Sequence, residues 1–244
     1  MQCLAIFDWD EKAHCLTILC EIEGLFQACG ILPQSFKIIA DGKIRSKTIS
    51  LEELKTSYRD RIDIKSIEGV FARGNDECRF FVSGAAPSAR MIFVGGVPFE
   101  PELPGLNATI TALSRVCSLT YGYSFNWSSY GEPELYALGI TQYSKTAPQD
   151  GKAEADARWF NERVLNAGNG RYKIGGMLRS VYEMNLLNLT HLNHKVDGHT
   201  LGGIIEQEAW GGLVELSNSN WLWKVPQGSV ESIFKYLDRR GFII

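Results

Sequence analysis

The chain has 244 residues, of which 45% are hydrophobic, 22% charged and 11% aromatic, a balance that excludes intrinsic disorder and collagen-like or low-complexity repetition. A chain of this length forms one large domain or two small ones and buries about 70–75% of its unfolded surface, so it needs no disulfide or metal for stability. With 25 Lys and Arg against 28 Asp and Glu, the net charge is -3, which lacks the basic excess of a nucleic-acid binder.

The first apolar run, Cys3 to Phe7, reads as a strand. From Lys12 to Cys29 the apolar positions Leu16, Leu19, Ile22, Phe26 and Cys29 recur at helical spacing, and Gly30 and Pro33 mark the stop. Ser35 to Ile49 reads as a hairpin about Asp41-Gly42, and Ser50-Leu-Glu-Glu53 matches a capping box at the start of a short helix. Strands are expected at Ile67–Ala72, Arg79–Val82 and Arg90–Val94, followed by a helix over Asn107–Leu119. Tyr121 to Pro133 shows no period and is the natural boundary between halves. Beyond it, the pattern predicts a strand at Tyr136–Tyr143 and a helix over Lys152–Asn166. It then predicts a Thr200-capped helix to Trp210, a hairpin joining Leu213–Leu216 to Trp221–Val225, and a final helix with Ser229 as N-cap and Gly241 as stop. Strands that follow one another without an intervening helix indicate an α+β fold with largely antiparallel sheet and helices on one face. The organisation expected is a single α+β domain over 1–244, open to a division into subdomains 1–128 and 129–244.

The start of the chain has no basic segment followed by a long apolar run, and no apolar stretch approaches the roughly 20 residues that span a bilayer. A cytoplasmic location without membrane contact follows, with reduced thiols and with the sequons at Asn107, Asn126 and Asn188 carrying no weight.

Familiar catalytic patterns are missing. No phosphate-binding glycine loop and no nucleophile elbow occurs, and the six cysteines form no C-x-x-C pair. Three of the four histidines lie close in sequence, at His191, His194 and His199, and imidazoles at such spacing suit a metal site. The Glu of an H-E-x-x-H motif is absent, with Asp197 as the acid nearby, so a polar loop before a helix is the plainer reading. A metal- or thiol-dependent enzyme using this segment, with Cys78 or Cys117 as the thiol, is the alternative function; neither cofactor nor metal is expected. Paired acids at Glu132 and Glu134 and at Glu206 and Glu208 read as solvated surface or as an acidic docking face for a basic protein. Trp221 and Trp223 share one face of an extended strand, which is core unless exposed, in which case it is an interface anchor.

Several segments resemble the immunity proteins of bacterial polymorphic toxins, of the kind paired with restriction-endonuclease-type nuclease toxins of type VI secretion (TsiT-like). They are Trp9 with the Leu16–Cys29 helix and the Phe36 strand, Ser50-Leu-Glu-Glu53, and Ala72-Arg-Gly74 ahead of strands ending at Gly95-Gly96. The closing segment, Trp221-Leu-Trp223 through Leu237 and Gly241-Phe242, completes the set. The segment Leu178 to Asn185 with His191-Leu192 is similar instead to the C-terminal part of uncharacterised bacterial proteins. The resemblance implies a non-catalytic inhibitor that binds a cognate effector toxin by protein–protein contact. The partner-binding residues expected are Glu132, Glu134, Glu206, Glu208, Trp210 and Trp221, with the oligomeric state open.

Overall fold

The computed structural model describes residues 2–8, 14–40, 43–58, 64–73, 76–86, 89–96, 105–127, 133–138, 155, 158–160, 162–163, 176–217 and 219–244. Its contacts cluster into two compact units, Met1–Thr120 and Tyr121–Ile244. Both combine antiparallel strands with helices, so the fold is α+β.

The first unit is built on strands β1 (Gln2–Asp8), β2 (Leu32–Ala40), β3 (Lys43–Ile49), β4 (Ile64–Arg73), β5 (Asp76–Ala86) and β6 (Ala89–Gly95), in the spatial order β1-β6-β5-β4-β2-β3. All pair antiparallel. Because side chains alternate across a strand, the register carries Ile6, Ile92, Val82, Ile67 and Ile38 as one apolar row, with Leu4, Val94, Phe80 and Phe71 beside it. Lys37, Glu68 and Arg79 fall on the opposite parity and are exposed. Helix α1 (Cys15–Ala28) covers the apolar face, against β4 and β5. Its Phe26 stacks on Phe71 at 4.1 Å and meets Phe80 edge-on at 6.1 Å. Its end is a Schellman arrangement in which Ile31 N–H donates to Phe26 O and Gly30, at φ 67°, donates to Gln27 O.

Helix α2 (Leu51–Ser57) starts as expected, with Ser50 Oγ accepting from Glu53 N–H at 3.0 Å. It inserts Leu54 into the core, and Lys55 pairs with Glu23 of α1. Helix α3 (Leu106–Val116) packs on α1 through Leu106, Ile110 and Leu113. A buried polar knot lies beside it. Asp8 and Arg90, cross-strand partners, approach to 3.9 Å, and the second Asp8 carboxylate oxygen accepts from Ser118 N–H at 3.1 Å.

The second unit holds β7 (Leu119–Asn126), β8 (Met184–Asn188), β11 (Gly212–Ser217) and β12 (Asn220–Lys224), in the order β11-β12-β8-β7, again antiparallel. A small two-stranded hairpin, β9 (Lys195–Val196) and β10 (His199–Thr200), stands apart. The helices are α4 (Pro133–Ala137), α5 (Leu189–Leu192), α6 (Leu201–Gln207) and α7 (Val230–Arg239). Residues 158–160 and 162–163 are also helical. There Phe160 is fully buried, and Arg163 donates to Asp238 Oδ1 at 2.6 Å and to the Ile244 carbonyl at 2.9 Å.

Three expectations need correction. Tyr121 to Pro133 is not irregular throughout, because β7 runs through Asn126, although the division between the two units does fall at its start, between Thr120 and Tyr121. Tyr136 is helical: Pro133 and Glu134 begin α4, as suits a proline without a needed N–H and an acid near the positive end of the helix dipole. The rest of the predicted Tyr136–Tyr143 strand, from residue 139 on, lies outside the described residues. Ser229 does not cap α7 through its side chain. It sits in helical backbone at the end of a 3-10 turn, Gln227–Ser229, and its carbonyl instead accepts from Ser232 Oγ.

Candidate protein-interaction site

The expected helix to Trp210 is α6, which ends three residues earlier. Thr200 Oγ1 accepts from Gly203 N–H at 3.1 Å. The helix closes in a second Schellman arrangement: Trp210 N–H donates to Ile205 O at 3.0 Å and Ala209 N–H to Glu206 O at 3.3 Å. Here the left-handed position, usually glycine, is Ala209 at φ 51°, and an alanine there carries about 1 kcal/mol of strain. The next turn is tighter still. Gly211 has φ 91°, and a Cβ on it would stand 1.9 Å from the Lys224 carbonyl oxygen, so no other residue fits between α6 and β12.

This corner fixes Trp210. Its carbonyl accepts the indole N–H of the fully buried Trp223 at 2.7 Å. Its ring stands edge-on to Tyr236 of α7 at 4.9 Å, and Arg240 lies 4.6 Å over the same tyrosine. Trp210 is half-buried, while Glu206 and Glu208 just before it are exposed. Strand β11 continues the surface. Val214 is 42% exposed, one of two large hydrophobic side chains so exposed among the described residues. Glu215 is exposed and Leu213 half-buried. Half-buried Trp221 of β12 pairs across from Glu215 and, on its other side, from Leu187.

Of the six residues read from the sequence, Glu206, Glu208 and Trp210 thus lie on one continuous segment, and Trp221 sits on the adjoining hairpin two residues from Trp223. Glu134 belongs to a different element, the first turn of α4, and Glu132 lies outside the described residues. Missed were Val214 and the pinning pair Ala209 and Gly211. A signal for them exists, since Gly211-Gly212 directly follows a tryptophan and opens an apolar run.

The histidine segment has a different character. His191 is buried, and its Nδ1 lies 2.7 Å from Asn188 Oδ1 in a reciprocal cap of α5, with the ring stacked on Tyr121 at 5.2 Å. Burial, reinforced by His194, pushes its pKa down to about 4. His194 stands edge-on to Phe242, and burial lowers its pKa as well. His199 is exposed on β10 beyond a two-residue turn with Asp197 at φ 51° and Gly198 at φ 83°, the mirror-image geometry that an Asp-Gly pair favours. Among the described residues no three His, Cys, Asp or Glu side chains gather to hold a metal ion.

The thiols divide sharply. Cys3, Cys15, Cys78 and Cys117 are buried, Cys29 is intermediate and Cys20 exposed. Burial, then the Asp8 carboxylate, pushes Cys117 up to about 12, and burial also raises Cys20. A nucleophilic thiol needs the opposite shift. Native protein at neutral pH is therefore expected to react with a chromogenic disulfide at two thiols, Cys20 and Cys29, with the other four appearing only on unfolding. Rapid native reaction at Cys117, located by peptide mapping, would contradict this.

Against this geometry stand the comparisons with known proteins. The fold is similar to that of the Pseudomonas aeruginosa T6SS protein PA0821, with a TM-score of 0.52 at 10% identity, over 99% of this chain and 72% of that one. At this identity the likeness is one of fold. No protein-family model matches the sequence, and no curated protein matches it. No helix among the described residues is long and apolar enough to cross a membrane.

Proposed function

We propose that this protein acts in the context of type VI secretion as an immunity protein. It binds a cognate secreted toxin, a nuclease, and neutralises it by covering its surface. The observation that carries the reading is the corner of the second unit. It joins exposed acids Glu206 and Glu208 to a tryptophan held in place from three sides and to an exposed valine. Rigid aromatic anchors with charged surroundings are what protein interfaces use, since a preset side chain loses little entropy on docking. Acids around the anchor speed encounter with a basic partner, and a nuclease surface shaped for phosphates is basic. The similarity of fold to a T6SS protein supports the wider setting.

The enzyme alternative has less support. His191 spends its Nδ1 on a helix cap, and burial keeps the ring neutral.

The test is coexpression with any secreted effector that the neighbouring genes encode. A stable complex that suppresses nuclease activity is expected, with an interface of roughly 1,200–2,000 Å². Reversing the acids (Glu206→Lys with Glu208→Lys) is expected to slow association about ten-fold or more at low salt, with less effect at high salt. If no complex forms at micromolar concentrations, the reading is wrong.

A further inference from the structure

We propose that residues 189–195 form a binding site for a small phosphate monoester, in which Lys195, Asn193, Thr190 and His194 take the phosphate and Leu189 takes the carbon arm. The site uses none of the residues of the acidic corner, and it stands or falls independently of the immunity reading.

An open pocket of about 440 Å³ is lined by Leu189, Thr190, Asn193, His194 and Lys195, a volume within the range of small-molecule sites. Two features coincide in it. Leu189 is 50% exposed, the more exposed of the two large hydrophobic side chains on the surface of the described residues. The four polar side chains beside it make no hydrogen bond or ion pair to any described residue. Together they present a positive charge, a hydroxyl, an amide and an imidazole, and no acid. Asp197, the acid nearest in sequence, sits in the hairpin turn at φ 51° and does not line the pocket.

The segment is held in place before any ligand arrives. Asn188 and His191 cap α5 reciprocally. A Cβ on Gly176, at φ 82°, would stand 2.7 Å from the Thr190 carbonyl oxygen and 2.8 Å from His194 Cβ, so the backbone at 176 runs flush against the segment. His194 is fixed edge-on against Phe242 at 5.6 Å. The carbonyls of Leu189, His191 and His194 accept from the N–H groups of Asn193, His194 and Leu201, which engages oxygens that would otherwise repel an anion. Donors set in advance lose little entropy on binding.

The donor set selects the ligand. A planar carboxylate is gripped best by the forked guanidinium of arginine, and no arginine lines the pocket. Lysine is a point charge, and with hydroxyl and amide donors around it suits the several oxygens of a phosphate. His194 is half-buried, and burial lowers its pKa, so at neutral pH its ring offers one N–H. An anion beside it raises that pKa again. Exposed Leu189 gives the carbon arm of an ester an apolar surface to cover.

The experiment is a proton–nitrogen NMR titration of the full chain with butyl phosphate, inorganic phosphate and pentanoate. It is repeated on Lys195→Gln and Thr190→Val, both at exposed positions, with the spectra themselves showing that each variant is folded. Butyl phosphate is expected to shift the amides of 189–195 and the Asn193 side chain, with millimolar affinity or tighter, and to raise the pKa of the His194 ring. It is expected to bind more tightly than either of the other two anions. Each variant should weaken it about ten-fold or more, as for the loss of a hydrogen bond to a charged group. No shift at several millimolar, shifts that spare 189–195, or equal binding by both folded variants overturns the site. Pentanoate binding as tightly as butyl phosphate overturns the choice of phosphate, and inorganic phosphate doing so overturns the monoester.

Discussion

Arg179→Ala is expected to lower stability by about 4 kcal/mol, the range for losing a buried, hydrogen-bonded charged side chain and leaving a cavity. Arg179 is 1% exposed. Its Nη1 donates to the Tyr123 hydroxyl at 2.6 Å and to the Ala137 carbonyl at 2.7 Å, and Tyr123 itself donates to that carbonyl at 2.8 Å. The guanidinium lies 4.5 Å from the Phe160 ring and 4.6 Å from that of Tyr136. One side chain therefore ties β7, α4 and the helical residues 158–160 together. A flat, delocalised cation can bond in its plane while stacking on its faces, which an ammonium cannot do. Arg179→Lys is accordingly expected to recover only part of the loss. Urea titration checks both, and thermal melting should show the alanine variant lower by roughly 10 °C, given about 2–4 °C per kcal/mol for a chain of this size. A melting point within about 2 °C of the parent would show that the aromatic residues hold this region without the cation.

Acid is expected to weaken the second unit through His191. An unfolded histidine titrates near 6.5, whereas the folded one is held down to about 4 by burial. Between these values the unfolded chain binds the proton and the folded chain does not, so stability rises with pH across that window. The contribution is complete above about pH 6.5, falls as the pH drops toward 4, and levels off below it. Its full size is about 3 kcal/mol at 1.36 kcal/mol per pH unit. Carboxylates lose stability in the same range, so the informative quantity is the difference between variants. His191→Gln retains a residue able to serve at the third position of a capped helix but does not titrate. Its stability should fall less than the parent's between pH 7 and pH 4, by about 2–3 kcal/mol in urea titrations. Parallel curves for the two proteins would mean that His191 is readily protonated in the folded state.

Much of the fold could be read from local chemistry. The stripe from Leu16 to Phe26, the Ser50 cap and the Thr200 cap each depend on residues within a few positions of one another, and each stands where it was expected. The failures are just as local in origin. Strand β7 does alternate, with Leu119, Tyr121, Tyr123 and Phe125 on one parity and Thr120, Gly122 and Ser124 on the other. Its glycine and serine nevertheless match turn chemistry, and its long-range pairing with β8 overrides them. Strand β8 has only five residues, Met184-Asn-Leu-Leu-Asn188, too few for a period to stand out. Its Asn185 is fully buried because its side chain bonds both backbone groups of Tyr182, a pairing that residue type cannot announce. The candidate site was half legible. Acids and tryptophans mark a possible interface by type, but only the tight turns at Ala209 and Gly211 place Trp210 between Trp223 and Tyr236.

What the sequence determined by itself is the α+β class, the helix stripe from Leu16 to Phe26, the caps at Ser50 and Thr200, and the acidic character of the stretch from Glu206 to Trp223. All follow from periodicity, capping and charge, which act over a few residues. The tertiary structure decided which tryptophan is sealed and which is presented: Trp223 is fully buried, while Trp221, two residues away on the same parity, stays half-buried. It also decided that His191 is a neutral cap. The reason is physical. Exposure and proton affinity depend on what distant segments bring to a residue's surroundings, and no pattern of neighbours along the chain carries that information.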